Sequence, residues 1–374
     1  MENEFETIQE IVLKAYQKMS SDHWDHVTGG SESETTLLRN LQAIDSLAFR
    51  PRVLRDVSEI DTSTTLLGRK LRIPVFLAPL GGLVNIHPDG TRLCRKAAVE
   101  FGIMMFISSV SGAEIEDAAG DDGDSLAFQL YLQGDKAWLD EYINRIAKTG
   151  CRAFCLTVDT AYYSRRERDL FNRYTPAGRE KGVRAGFNHQ AAMTWDLVDR
   201  LREKLKIPLV LKGIATAEDA RLAVEHDVEV LYVSNHGGRQ LDHGRGTMEI
   251  LPEVMDAVGD KAEVVVDGGF VRGTDILKAV ALGARAVGLG KLQAWALAAG
   301  GENGVRRMLE ILETEVFISM GLLGVTKLDQ LDASCLHESV PVKYPGDLSP
   351  FPSMEKLISP RPASANRMAK QEKT

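Results

Sequence analysis

Four features that each mark a kind of protein are scarce or missing. Cysteine is scarce: Cys94, Cys151, Cys155 and Cys335 are the whole set, and their spacing matches no zinc pattern and no disulfide framework. Cys151 and Cys155 flank an apolar, strand-like run, which reads as core packing. Basic residues are outnumbered, with 45 Lys and Arg against 53 Asp and Glu and a net charge of -8. No basic stripe stands out, so a nucleic-acid partner is not expected. No apolar run is long enough to span a bilayer, and MENEFETIQE lacks the charged-then-apolar pattern of a signal peptide. No P-loop is present, and no GxGxxG follows a strand. The "DDGD" at Asp121 lacks the rest of a calcium loop and reads as a solvated turn. What is present is a chain of 374 residues, 44% hydrophobic, with enough apolar material for a sizeable core. The expectation is a cytoplasmic protein with no membrane segment and no metal.

Apolar residues at Phe5, Ile8, Ile11, Val12, Ala15, Tyr16 and Met19 trace a helical stripe. Leu37–Leu47 predicts a second helix, and Pro51–Leu67 a connection ending in short extended structure. From Ile73 onward, short β-branched runs alternate with helix-like stretches. Strands are expected at Ile73–Pro79, Met104–Ser108, Leu126–Tyr131, Ala153–Asp159, Pro208–Lys212, Val230–Ser234, Glu263–Asp267 and Ala286–Gly290. Helices are expected at Thr91–Phe101, Lys136–Ala147, Thr194–Leu205, Ala217–Glu225, Met248–Val258 and Thr274–Leu282. A weak helix fits Ala113–Ala119, and Gly304–Met320 closes the ring. "GGENG" reads as a loop between helices.

Eight such strands predict an α/β fold, a (β/α)8 TIM barrel with an N-terminal helical extension. A doubly wound open sheet is the alternative. The expected division is 1–72 for the extension, 73–343 for the barrel and 344–374 for a tail that wraps and then becomes disordered. Tyr162–Met193 is irregular and long, which suits a functional loop.

In a barrel, functional residues gather at the C-terminal ends of the strands. Polar residues stand at seven consecutive ends here. They are Ser108 and Ser109, then Gln129 and Tyr131, Thr157 and Asp159, Lys212, Ser234 to His236, Asp267 to Gly269, and Gly290 with Lys291. One such end is ordinary; the set points to a shared site. Lys212 follows Leu209, Val210 and Leu211, so its ammonium leaves a buried strand and needs an anionic or electron-rich partner. The glycines after the last two strands suit a phosphate, because backbone N–H groups can approach closely there.

"SNHGGRQ" resembles the active-site stretch of the FMN-dependent 2-hydroxy acid oxidases and dehydrogenases. "PRVLRDVSEIDTSTTLLG", "FQLY", "LTVDT", "RRERD", "LKGI", "DGG", "RGTD" and "ALGA" resemble that family's blocks in family order, over about Trp24 to Gly324. The resemblance implies FMN as cofactor and oxidation of an (S)-2-hydroxy acid to the 2-oxo acid. It implies His236 as base, Asp159 as partner of the imidazolium, and Arg239 and Arg166 on the substrate carboxylate. Tyr131 is implied to bond the substrate oxygen or carboxylate, and Lys212 to face the pyrimidine edge of the flavin. Ser108, Gln129 and Thr157 are implied to bond the flavin ring, and Asp267 the ribityl chain. Gly269, Arg272, Gly290 and Lys291 are implied around the phosphate. Pro79, Leu80, Gly81, Ser234 and Gly268 complete the cofactor-binding set.

A homotetramer is also implied, with oxygen or another electron acceptor. Both a hydride scheme and a carbanion scheme use the same base. A different reaction on the same flavin barrel, and a non-catalytic flavin-binding derivative, are the alternatives. The chain departs from the family pattern in placing His26, in "WDHVTGG", where a substrate-facing tyrosine is usual. Val271 and Lys291 stand where arginines are common. Val110 replaces a bulky aromatic, which implies a roomier pocket.

Overall fold

The structure is a computed structural model that describes residues 5–175, 187–342, 345, 346, 348–352 and 354. Side chains on a strand alternate between its two faces. In Met104–Ser108 that alternation sends Met104 and Phe106 into one apolar cluster and Met105 and Ile107 into another. Both faces are buried, which is why such runs read as continuous apolar sequence.

Eight parallel strands repeat the pattern. They are β1 (Val75–Leu77), β2 (Met104–Ser108), β3 (Leu126–Leu130), β4 (Ala153–Thr157), β5 (Leu209–Ile214), β6 (Val230–Val233), β7 (Glu263–Val266) and β8 (Ala286–Leu289). They form a closed barrel in chain order, β8 pairing with β1. This is the expected (β/α)8 barrel and not the open sheet. The inner cluster includes Phe76, Phe106, Cys155, Val210, Tyr232 and Val265. A hairpin of Thr64–Leu66 and Arg69–Leu71 adds Leu66 and Leu71 to it, closing the barrel at the end opposite the strand C-termini.

The helices are α1 (Ile8–Lys18), α2 (Ser21–Thr28), α3 (Thr35–Asp45), α4 (Gly90–Phe101), α5 (Ile115–Ala119), α6 (Lys136–Lys148), α7 (Glu167–Asn172), α8 (Trp195–Lys204), α9 (Ala217–Glu225), α10 (Thr247–Val258), α11 (Gly273–Ala281) and α12 (Lys291–Leu323), beside shorter turns. Thr7 caps α1 in a capping box with Glu10. The buried stripe Ile8, Ile11, Val12 and Ala15 packs α1 against α12.

The structure corrects several expected boundaries. The first strand is only Val75–Leu77; Pro74 has no N–H to give a ladder. Asp159 lies beyond the end of β4, in the loop. "GGENG" is a kink rather than a loop: Gly300 and Gly301 alone leave helical geometry, and α12 resumes at once. α2 is unforeseen, because eight residues carrying only Trp24 and Thr28 as buried positions leave no apolar period to read. Its one sequence cue is Ser20, whose side chain accepts from the His23 N–H. The irregular Tyr162–Met193 stretch contains α7 and a turn of helix at Phe187–Ala191; residues 176–186 lie outside the described residues. Most of the expected tail does too, but Phe351 is fully buried with its ring 6.2 Å from that of Trp295.

Candidate active site

The parity that fills the barrel with apolar side chains also sets its upper rim. Counting up the inward face, Phe106 is followed by Ser108, Ala127 by Gln129, Cys155 by Thr157 and Val210 by Lys212. Ser108 Oγ donates to Gln129 Oε1 at 2.7 Å, and Gln129 Nε2 donates to Thr157 Oγ1 at 2.8 Å. On the other side of the rim, Lys212 Nζ donates to Ser234 Oγ at 2.9 Å, and Ser234 Oγ donates to Asp267 Oδ1 at 2.7 Å. Tyr232 reaches up from the inner cluster to donate to Asp267 Oδ2 at 2.9 Å. Asp267 Oδ2 lies 3.9 Å from Lys212 Nζ. The buried ammonium therefore has its counter-charge within the protein.

Above this rim is a cavity of about 710 Å³, within the ordinary range for a cofactor or substrate site. Its lining brings together Pro79, Leu80, Gly81, Tyr131, Lys212, Asp267, Gly268, Gly269, Gly290 and Lys291 with His26, Arg166, His236 and Arg239. Ser108, Gln129, Thr157, Ser234 and Asp159 stand behind that lining. Arg272 does not line this cavity: its guanidinium pairs with Glu315 at 2.6 Å, and it lines a small adjoining cavity beside α11 that shares Leu41 and Gly269 with the main one. Val271 takes the place on the main cavity.

His236 sits at φ +60°, followed by Gly237 and Gly238 at +66° and +75°. Only at Gly238 is a side chain excluded twice over: a Cβ there would lie 2.5 Å from the Leu37 backbone of α3. Asn235 fixes the turn. Its amide exchanges hydrogen bonds with Asn40 at 2.7 and 2.9 Å, and its Oδ1 accepts from Gly238 N–H at 3.0 Å. A left-handed histidine is a strained conformation of the kind that collects at functional sites.

That turn aims the imidazole between two partners. Nδ1 lies 3.1 and 3.2 Å from the two oxygens of Asp159, and Nε2 lies 3.0 Å from the Tyr131 hydroxyl. Burial pushes the His236 pKa down and Lys212 adds to that, outweighing Asp159. Burial raises the Asp159 carboxyl, but the Lys212 charge and the hydrogen bond from the imidazole bring it below its ordinary value. Burial raises the Tyr131 phenol. The imidazole is thus held neutral with its proton on Nδ1 facing a carboxylate. The Tyr131 O–H donates to the Nε2 lone pair. This is the state a general base requires.

Two guanidinium groups share the cavity. Arg239 Nη1 donates to the Gly29 carbonyl at 2.7 Å, just past the end of α2. Burial and the nearby Arg166 push Arg239 down to about 10. Arg166 stacks on Tyr163, 4.2 Å from ring centroid to Cζ, and its Nε is buried without a partner among the described residues. Thr160 Oγ1, Gln190 Oε1 and Gln240 Oε1, in residues that line the cavity, are also buried without partners among the described residues.

His26, on α2, has a carboxylate partner unforeseen in the sequence. Its Nδ1 is 3.1 and 3.0 Å from the two oxygens of Asp169 on α7. The Tyr174 ring lies 4.8 Å away. Asp169 is 143 residues from His26, so no local spacing connects the two. The only signal was the block "RRERD" that contains it.

The cavity also fits the cofactor that the sequence implied. Gly268 and Gly269 line the cavity and hold φ of +113° and +95°. A Cβ on Gly290 would touch only Leu80, at 3.9 Å. Gly290 caps the N-terminus of α12, where backbone N–H groups favour an anion. Lys291 follows and donates to the Thr28 carbonyl. No group of three or more potential metal-binding side chains occurs among the described residues, and no described helix is long and apolar enough to cross a membrane.

A closed parallel barrel with a buried ammonium, a glycine-lined helix N-terminus and a carboxylate-oriented imidazole at its mouth is an enzyme of the flavin-barrel kind. Residues 15–338 match the family described as FMN-dependent dehydrogenase, and the chain belongs to that family. It is 39% identical over 344 residues to a peroxisomal (S)-2-hydroxy-acid oxidase of Oryza sativa subsp. japonica, covering 87% of this chain and 93% of that one. It is 36% identical to an L-lactate oxidase of a Nostoc strain, covering 87% of this chain and 98% of that one. Among solved structures, mandelate oxidase with benzoyl-formic acid superposes with a TM-score of 0.83 at 36% identity, covering 91% of this chain and all of that one.

Proposed function

We propose that the protein oxidises an (S)-2-hydroxy acid to the 2-oxo acid, with FMN as cofactor and oxygen as the final acceptor. The observation that carries this reading is His236, held neutral between Asp159 and Tyr131 in one cavity with Arg239 and Arg166. Two guanidinium groups in a shared cavity suit a carboxylate, which each can grip bidentately. The names of the rice, Nostoc and mandelate relatives support a 2-hydroxy acid and support oxygen.

Gly268, Gly269, Gly290 and Lys291 would hold the phosphate, Asp267 the ribityl chain, and Lys212 the pyrimidine edge of the ring. Pro79, Leu80 and Gly81 would form a wall against it. Bound FMN supplies the two-electron acceptor. Arg239 and Arg166 bind the substrate carboxylate and fix C2 and its hydroxyl beside His236. The substrate oxygen then replaces His236 Nε2 as the acceptor of the Tyr131 hydrogen bond. Nε2 is freed to take one of the two protons the substrate loses, the two electrons and the other proton passing to the bound cofactor. Asp159 stabilises the imidazolium that results through a charge-assisted hydrogen bond.

We also read the protein as a homo-oligomer, a tetramer by family resemblance. Exposed Val53, Leu54, Phe317, Ile318 and Leu322 support it. The Arg52 N–H bonded to the Leu323 carbonyl at 3.1 Å brings the first two beside the end of α12.

FMN-loaded protein given glycolate, (S)-lactate, (S)-mandelate and long-chain 2-hydroxy acids in air tests the reaction, with 2-oxo acid and oxygen uptake measured together. At least one acid is turned over with matching oxygen loss. Formation of no 2-oxo acid across the panel contradicts the reading. Formation without oxygen uptake contradicts oxygen as acceptor alone.

A further inference from the structure

We propose that His26 and Asp169 form a second histidine–aspartate pair, which binds the substrate carboxylate as an imidazolium, so that substrate binding takes up a proton. This rests on the carboxylate reading above. Asp169 is buried to 7% relative exposure and meets the imidazole with both oxygens. A carboxylate only accepts, so Nδ1 carries a proton. His26 lines the cavity, leaving Nε2 as the ring nitrogen available to a ligand. In the neutral ring that nitrogen is an acceptor, and a carboxylate is also an acceptor. The two can meet only if His26 gains a second proton.

The surroundings make that proton conditional on a bound anion. Asp169 favours the imidazolium. Burial, Arg239 and Arg166 oppose it and hold the His26 pKa below its ordinary value in the free cavity. Tyr174 packs on the ring and also against His23 of the same helix. A carboxylate placed between Arg239, Arg166 and His26 offsets the repulsion from both guanidinium groups and offers the missing acceptor. Neutral His26 would then bind substrate with uptake of one proton, which a tyrosine at this position would not require. Asp169 is a positioning residue: it fixes the ring and sustains its charge without touching substrate.

Oxalate, which has no α-hydrogen to lose, is the probe. Its binding to the FMN-loaded protein is followed by flavin absorbance across pH. Proton uptake is read by calorimetry in two buffers of different ionisation enthalpy. The oxalate Kd rises about tenfold per pH unit above the His26 titration of the free enzyme, beyond any His236 contribution. His26→Tyr retains a donor at every pH, so it binds oxalate with one proton less of uptake and a correspondingly shallower pH slope. His26→Phe also loses that uptake, and binds on the order of tenfold more weakly at acidic pH. Asp169→Asn lowers the uptake while keeping a side chain of the same shape. Equal proton uptake in the wild type, His26→Tyr and His26→Phe overturns the proposal. Failure of oxalate to bind the wild type at any pH overturns instead the carboxylate reading on which it rests.

Discussion

His236 is where residue-level chemistry is most constrained. Burial and Lys212 lower its pKa and Asp159 raises it, with a net fall below the ordinary imidazole value of 6.5. A base must be neutral, so kcat/KM falls on acidification with a limb below 6.5. Asp159→Asn removes the charge that sustains the imidazolium and slows flavin reduction by at least about a hundredfold. A pre-steady-state rate within a few-fold of wild type would contradict this. The sequence points to His236, Asp159, Tyr131 and Lys212 because they stand at or just past strand ends, which share one face in a barrel, and because their blocks resemble a family. The His26–Asp169 pair was not legible, because it joins a short polar helix to a loop helix across 143 residues. The placement of Arg272 was not legible either: Glu315 captures it from a distant part of α12.

Among the elements, the turn after β6 and the N-terminus of α12 do the positioning. Gly238→Ala requires a left-handed alanine with its Cβ 2.5 Å from Leu37 backbone. It is expected to cost at least about 2 kcal/mol and to displace His236. Denaturant unfolding checks the first effect and flavin reduction the second; unchanged stability would contradict the close approach. Lys291→Ala removes a cation beside Gly290 at the helix N-terminus and weakens FMN binding by about tenfold or more. Flavin fluorescence titration measures it, and an unchanged Kd would place the phosphate elsewhere. At the other end of the barrel, Leu71 fills the base of the inner cluster, so Leu71→Ala costs about 2–5 kcal/mol with the mouth intact. The strands and long helices followed from their periods. The kink at Gly300 and Gly301 did not, since a glycine pair can interrupt a helix without ending it, and which occurs depends on the packing around it.

For the whole molecule, barrel closure is what turns scattered strand-end residues into one cavity. Ser108 and Asp267 are far apart in the chain, yet stand on the same rim because β2 through β7 run side by side in order. The exposed apolar residues near Leu54 and Leu322 predict more than one chain in solution by sedimentation, and Leu54→Asp with Leu322→Asp shifts the particle toward monomer. A monomeric wild type would contradict that expectation. The most direct test of the proposed chemistry is anaerobic stopped-flow mixing of the FMN-loaded protein with the acid it turns over best, comparing wild type with His236→Ala. The wild-type flavin absorbance bleaches, while the variant retains its flavin and bleaches at least about a thousandfold more slowly. Bleaching of the variant at the wild-type rate would show that His236 is not the base.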